Sequence, residues 1–375
     1  METINFTRGV PATESFPIAD LSDCSATVLA QNGAAILQYG PAAGLASLRE
    51  WLAGWQGVPT ERVLTGNGSL ELVEFLCTLM VKPGDFVLTE APSYDRALTL
   101  FRRHGADIEG VALEADGPDI GKLEAILARR VPKLFYVIPD FQNPAGATCS
   151  AAKRRRIVEL AEKYNFLILE DAPYRLLRYR GKQEPTLYEL APQRVLHMSS
   201  FTKLIAPGVR VGFMLGEPAL LAKIGKVAED TYISPGYFAH GVTAEWCKRG
   251  HLLPQIEQLK ALYAPRLDAC IAALDKYMPE AVATRPDGGF FISMTLPPGT
   301  STTALRTAAA KRNLNLADGL AFFPHGGGSP PGGSPPGGSP PGGDRFLRLP
   351  FCALTPAQID EGVRRLADTV KEVRV

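Results

Sequence analysis

The chain has 375 residues, 46% hydrophobic and 21% charged, which is ordinary for a globular enzyme and excludes a fully disordered or collagen-like protein. Forty basic and 39 acidic side chains leave a net charge of +1, so no charge block predicts a nucleic-acid or membrane partner. No apolar run reaches the length of a transmembrane helix, and the N-terminus has no signal-peptide pattern. We therefore expect a cytoplasmic protein.

The six cysteines are scattered without CxxC spacing, and the five histidines form neither an HExxH motif nor a zinc-like Cys/His pattern. We expect free thiols in a reducing compartment and no metal.

Seven short apolar segments between residues 60 and 216 are predicted as strands. They are Arg62–Thr65, Phe86–Glu90, Asp107–Leu113, Leu134–Pro139, Phe166–Glu170, Val195–Met198 and Val209–Leu215. Amphipathic helical patterns separate several of them, which predicts an α/β fold with a mostly parallel, buried seven-stranded sheet between helical layers.

The chain becomes helical after residue 216, with one long helix over residues 256–274 that we expect to bend at Pro265. A smaller α+β unit follows and closes with a helix at Pro356, where Thr355 and Gln358 form a capping-box pattern. We expect a large domain over 40–280 and a small domain from 1–39 and 281–375. The repeat SPPGG, three times over Ser329–Gly343, predicts a flexible loop at 326–344 inside the small domain.

Four short segments carry chemistry, and each lies at or just after the end of a predicted strand, where open α/β sheets place ligands. They are Thr65–Leu70 (TGNGSL), Pro139–Gly146 (PDFQNPAG), Glu170–Tyr174 (EDAPY) and Ser199–Lys203 (SSFTK), the last followed by PGVRVG at 207–212. Taken singly, each leaves an alternative open. The glycine turn favours either a phosphate site or an ordinary strand–helix turn, and a strand-end acid or lysine is either structural or catalytic.

In this order and spacing, the four segments resemble fold type I pyridoxal-phosphate enzymes, and within them class I/II aminotransferases of the α-aminoadipate/kynurenine aminotransferase branch. The resemblance runs from Phe6–Pro11 to Phe346–Phe351. It implies the three-layer fold type I transferase architecture, with the large domain binding pyridoxal 5′-phosphate. It also implies transfer of an amino group between an α-amino acid and a 2-oxo acid.

By this resemblance, Lys203, Asp171 and Tyr174 would be the catalytic residues. Lys203 would form a Schiff base with the cofactor, and Asp171 would keep the pyridine nitrogen protonated. Asn143 and Tyr174 would bind the 3-hydroxyl of the ring, and Tyr94 would stack on its face.

The remaining roles implied by the resemblance concern the phosphate, the substrate and a second subunit. The phosphate would be held by Gly68, Ser69, Ser200, Thr202 and Arg210. Arg348, with Asn143, would bind the substrate α-carboxylate. Tyr39 would reach the cofactor phosphate of a neighbouring subunit, which implies a homodimer.

This chain departs from the family pattern at Arg8, where a glycine is common in a segment lying over the substrate, and at the repeat before Arg348. Arg8 is a candidate substrate-binding residue that would favour donors with a distal carboxylate. Two alternatives to transamination stay open. One is another reaction of the same cofactor, such as a β-lyase or α,γ-elimination synthase, with decarboxylation disfavoured by Arg348. The other is a non-catalytic effector-sensing domain.

Overall fold

A computed structural model describes residues 2–324 and 343–374 of the chain. Its strands are β1 (Ile4–Phe6), β2 (Val63–Gly66), β3 (Phe86–Ala91), β4 (Asp107–Glu114), β5 (Gly117–Pro118), β6 (Leu134–Val137), β7 (Leu167–Asp171), β8 (Val195–Ser200), β9 (Gly212–Leu215), β10 (Val282–Ala283), β11 (Phe291–Thr295), β12 (Leu314–Leu316) and β13 (Phe346–Pro350). Its α-helices are α1 (Ile18–Ile36), α2 (Ala46–Gln56), α3 (Ser69–Met80), α4 (Asp95–Arg103), α5 (Ile120–Arg129), α6 (Ala151–Tyr164), α7 (Leu187–Leu190), α8 (Pro218–Tyr232), α9 (Tyr237–Lys248), α10 (Leu252–Tyr277), α11 (Thr302–Ala310) and α12 (Pro356–Val373).

The large sheet has eight strands in the order β2-β9-β8-β7-β6-β3-β4-β5. Strands β4, β3, β6, β7 and β8 pair in parallel, whereas β9 is antiparallel to both of its neighbours, β8 and β2. All seven predicted strands are therefore present. The expected count of seven is one too low because β5, only two residues long and antiparallel to β4, has no apolar pattern of its own.

The sheet is covered by helices on both faces, which explains why its central strands are continuous apolar runs. One buried cluster contains Leu48 of α2, Leu123 of α5 and Ile157 of α6. The other contains Leu72 of α3 and Leu98 of α4. The result is the predicted three-layer α/β architecture.

A smaller unit forms around two further sheets. Strands β10, β11 and β13 pair antiparallel, and β1 pairs in parallel with β12. Their apolar faces share a cluster with α12 and with the second half of α10, around Leu267 and Leu274. The N-terminal strand is thereby anchored to the last third of the chain.

Local signals set the helix ends here. Thr355 and Gln358 form both hydrogen bonds of the capping box, with Pro356 as the first residue of α12. Pro265 lies inside α10, and the helix does not end there but runs over 26 residues in all. No helix in the described ranges is long and apolar enough to cross a membrane.

Almost all of the SPPGG repeat, up to residue 342, lies outside the described residues. On either side of it, the rings of Phe322 and Phe323 pack against Phe346, with centroids 6.0 and 5.7 Å apart. These contacts join the segment before the repeat to the strand that carries Arg348.

Candidate active site

A cavity of about 160 Å³ lies at the carboxyl edge of the large sheet. The chain segments that follow β2, β3, β6, β7 and β8 converge there because parallel strands end at the same edge. Most of the residues predicted from the sequence line it, namely Gly68, Ser69, Tyr94, Asn143, Asp171, Tyr174, Ser200, Thr202, Lys203 and Arg210.

Lys203 follows β8 and directs its amine into this cavity, where Nζ donates a hydrogen bond to the Gly9 carbonyl at 3.0 Å. Nζ also lies 5.8 Å and 5.5 Å from the ring centroids of Tyr174 and Phe290. Burial lowers the pKa of this amine to about 8 because the charged form is poorly solvated there. A larger fraction of neutral, nucleophilic amine is therefore present near neutral pH than for an exposed lysine.

Asp171 is the last residue of β7, and its two carboxylate oxygens have different surroundings. Oδ2 accepts a hydrogen bond from the Tyr136 hydroxyl at 2.7 Å. Oδ1 is buried and has no hydrogen-bond partner among the described residues. Burial raises the pKa of Asp171 to about 6, and the bond from Tyr136 opposes that rise. This oxygen is available to accept a hydrogen bond from a bound ligand, because burying a polar atom without a partner costs folding free energy.

The turn between β2 and α3 forms an anion cradle beside Arg210. Gly68 has a φ of +102°, and a Cβ at this position would come within 2.6 Å of Nη2 of Arg210. Helix α3 begins at the next residue, Ser69, so its free N–H groups and positive dipole end face the same place. The hydroxyls of Ser200 and Thr202 complete the cradle and lie 2.7 Å apart.

Arg348 lies in the middle of β13 and reaches the predicted cofactor loop from the small unit. Its Nη1 donates to the Asn143 side-chain oxygen at 2.7 Å, and its Nη2 donates to the Thr7 carbonyl at 2.6 Å. The guanidinium is buried between the rings of Phe291 and Phe322, at 4.8 and 4.5 Å from their centroids. Nε is buried and has no acceptor among residues 2–324 and 343–374, so this group keeps a donor for a carboxylate.

A buried ion pair supports the loop that carries Asn143. Arg154 and Asp140 are fully buried, and both guanidinium ends bond the carboxylate at 2.9 and 3.2 Å. Arg154 also donates to the carbonyls of Pro139 and Cys149, at the two ends of the loop. The loop conformation therefore depends on a guanidinium that does not line the cavity.

Three predicted site residues do not line the cavity: Arg348, Tyr39 and Arg8. Tyr39 has 73% of its surface exposed, and Arg8 is exposed with no ion pair among the described residues. Arg8 nevertheless lies between Thr7 and Gly9, whose carbonyls contact Arg348 and Lys203.

Sequence reasoning missed Tyr136 and the two backbone carbonyls of the N-terminal segment. A tyrosine inside a buried strand is a usable signal, because its hydroxyl needs a partner. Backbone carbonyls carry no such signal. No group of three or more metal-ligating side chains occurs among residues 2–324 and 343–374.

These groups fit the phosphorylated pyridine aldehyde predicted from the sequence. The free Oδ1 of Asp171 matches a protonated ring nitrogen, the amine of Lys203 matches an aldehyde carbon, and the cradle at Gly68 matches a phosphate. The fit rests on complementary chemistry at three separate places in one cavity.

Comparisons with known proteins agree with this fit. A family model described as aspartate amino-transferase matches residues 2–332. An aromatic-amino-acid aminotransferase of Thermococcus litoralis is 32% identical, covering 99% of this chain and 88% of the relative. A 2-aminoadipate transaminase of Thermus thermophilus is 33% identical, covering 98% and 90%. The crystal structure of an α-aminoadipate aminotransferase from Thermus thermophilus, complexed with N-(5′-phosphopyridoxyl)-L-leucine, superposes with a TM-score of 0.91 at 32% identity, covering 99% of this chain and 92% of that one.

Proposed function

The chain belongs to the aspartate aminotransferase family and is a pyridoxal-phosphate-dependent aminotransferase, and we propose that the cavity at the sheet edge is its active site. The observation that carries the proposal is the convergence of three groups in one cavity. They are the Lys203 amine, the Asp171 Oδ1 atom, which has no partner in the part of the chain that the structure describes, and the glycine cradle beside Arg210. The two alternatives from the sequence, another reaction of the cofactor and an effector-sensing domain, are not favoured by these relatives.

Different residues of the chain hold different parts of the cofactor in this proposal. Asp171 Oδ1 accepts from the ring nitrogen, Asn143 and Tyr174 bind the ring hydroxyl, and Tyr94 covers the ring face. The phosphate is held by Gly68, Ser69, Ser200, Thr202 and Arg210. When bound, the cofactor supplies an electron-withdrawing cationic ring that stabilises negative charge at the substrate Cα.

Lys203 has two tasks in this proposal. Its amine would hold the cofactor through the aldehyde carbon, with loss of water, and the lowered pKa of Lys203 favours the neutral amine that this requires. With an amino acid bound, Nζ would act as general base for the proton on the substrate Cα and would hold that proton as its conjugate acid. The rings of Tyr174 and Phe290 lie 5.8 and 5.5 Å from Nζ and give the amine apolar surroundings.

Arg348 binds the substrate α-carboxylate in this proposal, with Asn143 beside it. The planar guanidinium is fixed between two aromatic rings, so its N–H groups point in set directions. A substrate carboxylate that is held by Arg348 is not lost as carbon dioxide, and this favours amino transfer over decarboxylation. Arg8 lies at the outer side of the same segment and is proposed to favour donors with a distal carboxylate.

We also propose a homodimer in which Tyr39 of one subunit serves the cofactor phosphate of the other. Tyr39 and Leu37 are 73% and 72% exposed, just before Gly40. Other large apolar side chains exposed on the described surface include Ile18, Leu29, Ile233 and Phe238. A second copy packed against Tyr39 would also cover Leu37, two residues away.

The division into a large cofactor-binding domain over 40–280 and a small domain from 1–39 and 281–375 is retained in the proposal. The pairing of β1 with β12 supports placing the N-terminal strand with the small domain. A cytoplasmic location is proposed because all six cysteines are free.

The test is reduction of the holoenzyme with borohydride, followed by peptide mapping. The cofactor should be fixed to Lys203, and Lys203→Ala should lose both the label and the visible absorbance of the bound cofactor. Lys226→Ala, which changes an exposed lysine paired with Glu229 and Asp230, is the matched control and should keep both. A label on any other lysine would refute the assignment.

A further inference from the structure

The two oxygens of the Asp171 carboxylate are distinguished by a single hydrogen bond. Oδ2 accepts from the Tyr136 hydroxyl at 2.7 Å, and this leaves Oδ1 as the oxygen without a partner in the described structure. A free carboxylate rotates and offers either oxygen. With Oδ2 engaged, the rotation about the side-chain bond is fixed and Oδ1 alone remains available to a donor in the cavity.

The position of Tyr136 is fixed by the sheet around it. It is fully buried in β6, in register with Thr89 on one side and Leu169 on the other. Its ring meets the edge of Phe101 with centroids 5.8 Å apart. Burial, strengthened by the nearby negative charge of Asp171, keeps the pKa of the phenol well above its usual range. The hydroxyl therefore stays protonated around neutral pH and remains a donor to the carboxylate.

We propose that Tyr136 is a positioning residue for transamination, which fixes the rotamer of Asp171 and keeps that carboxylate ionised, so that one defined oxygen meets the cofactor's ring nitrogen. This inference rests on the proposed role of Asp171. It adds a residue that does not line the cavity and acts only through the carboxylate.

The electrostatic part of the argument gives the effect a pH dependence. Burial raises the pKa of Asp171 to about 6, and the Tyr136 hydrogen bond is the largest of the influences that lower it. The titratable groups that face this carboxylate are Tyr94, Tyr136, Tyr174, His197 and Lys203. Only Tyr136 bonds it directly among the described residues. Without that hydroxyl, the pKa of Asp171 rises further, so the protonated, uncharged form persists to higher pH.

The experiment measures pyridoxal 5′-phosphate affinity of the apoprotein by fluorescence or absorbance titration. Tyr136→Phe removes the hydroxyl and keeps the ring. Tyr179→Phe is the matched control, because its hydroxyl donates to the Gly289 carbonyl at 2.6 Å outside the cavity. We expect Tyr136→Phe to raise the Kd about tenfold at about pH 6 and less than about threefold at about pH 9, where Asp171 is ionised in both proteins. The control should change neither value.

Asp171→Asn separates this inference from the proposed function. If Asp171→Asn binds the cofactor as tightly as wild type, the proposed role of Asp171 fails. If Asp171→Asn weakens cofactor binding but Tyr136→Phe does not, the role of Tyr136 is refuted. It is also refuted if Tyr136→Phe loses the same cofactor affinity at both pH values, or if Tyr179→Phe loses as much.

A variant that leaves a buried carboxylate oxygen unpaired can fail to fold, and the double variant Tyr136→Phe/Asp171→Asn covers that outcome because it removes the charge. We expect its Kd to equal that of Asp171→Asn alone, since Tyr136 acts only through the carboxylate. A further loss in the double variant would refute the inference.

Discussion

Arg348→Lys tests how the substrate carboxylate is held. In the structure, two separate N–H groups of Arg348 bond two acceptors, the Asn143 side chain and the Thr7 carbonyl, at 2.7 and 2.6 Å. A lysine at this position is a point charge on a flexible stem, and it presents no planar pair of donors to a carboxylate.

The size of the effect follows from the bonds lost. A hydrogen bond to a charged group contributes about 1.5–3 kcal/mol, and about 1.4 kcal/mol corresponds to a tenfold change in an equilibrium constant. Loss of one of two such bonds to the substrate should therefore raise KM about 10- to 100-fold for amino and oxo substrates alike. Cofactor affinity should change much less, because Arg348 is not among the groups that line the cofactor cavity.

The assay is steady-state kinetics with one amino donor and one 2-oxo acid, together with cofactor titration of the apoprotein. Arg345→Lys is a suitable control. Arg345 immediately precedes β13 and donates to the Leu296 carbonyl at 3.3 Å, away from the cavity. It should leave KM and cofactor affinity unchanged.

An equal loss of cofactor affinity and substrate affinity in Arg348→Lys would refute this reasoning. It would mean that Arg348 holds the Asn143 loop in place for the cofactor and that another group binds the carboxylate.

Three further outcomes are expected. The rate at which the apoprotein binds the cofactor aldehyde should rise with pH around a midpoint near 8, because the lowered pKa makes neutral Lys203 available from that pH upward. A stopped-flow absorbance measurement in which this rate keeps rising toward pH 10.5, the ordinary pKa of a lysine, would contradict the prediction. Arg154→Met should reduce the free energy of unfolding in denaturant by about 3 kcal/mol, because it removes both hydrogen bonds from Arg154 to the buried Asp140 carboxylate and leaves only Arg175 and Arg178 near it, at 3.5 and 4.0 Å. Arg155→Met, at an exposed position of the same helix, should leave the free energy of unfolding almost unchanged, and similar losses in both variants would mean that the buried pair does not stabilise the fold. Arg8→Gln should lower kcat/KM for donors with a distal carboxylate and spare apolar donors, and a uniform loss across a donor panel would count against a role in specificity.

The central strands were predictable because burial on both faces gives them apolar runs, as in β6 and in the first three residues of β7. The same physics explains the failures. Strand β5 consists only of Gly117 and Pro118, which pair with β4, and β10 is equally short. Two residues are too few to show a hydrophobic pattern. Such pairings arise from tertiary neighbours and not from local preference.

The candidate site divides in the same way. Lys203, Asp171 and Arg348 stand in motifs whose order along the chain resembles a known family. Tyr136 sits inside a strand and reads as one more buried aromatic residue, although its hydroxyl singles out one oxygen of Asp171. The carbonyl contacts of Thr7 and Gly9 depend on backbone path alone, which no side-chain pattern encodes.

The anchoring of the N-terminal strand has a consequence for the order in which the protein matures during synthesis. Every proposed cofactor ligand of the subunit's own cavity lies between Gly68 and Arg210, in the strands of the large sheet or in the segments that follow them. The contact between Thr7 and Arg348 spans 341 positions, and β1 finds its partner β12 only when residue 316 has left the ribosome. Domains fold as units while synthesis proceeds from the N-terminus. The residues proposed to hold the cofactor are thus all synthesised well before Arg348, the residue proposed to bind the substrate carboxylate, so the cofactor half of the pocket precedes the substrate half in time.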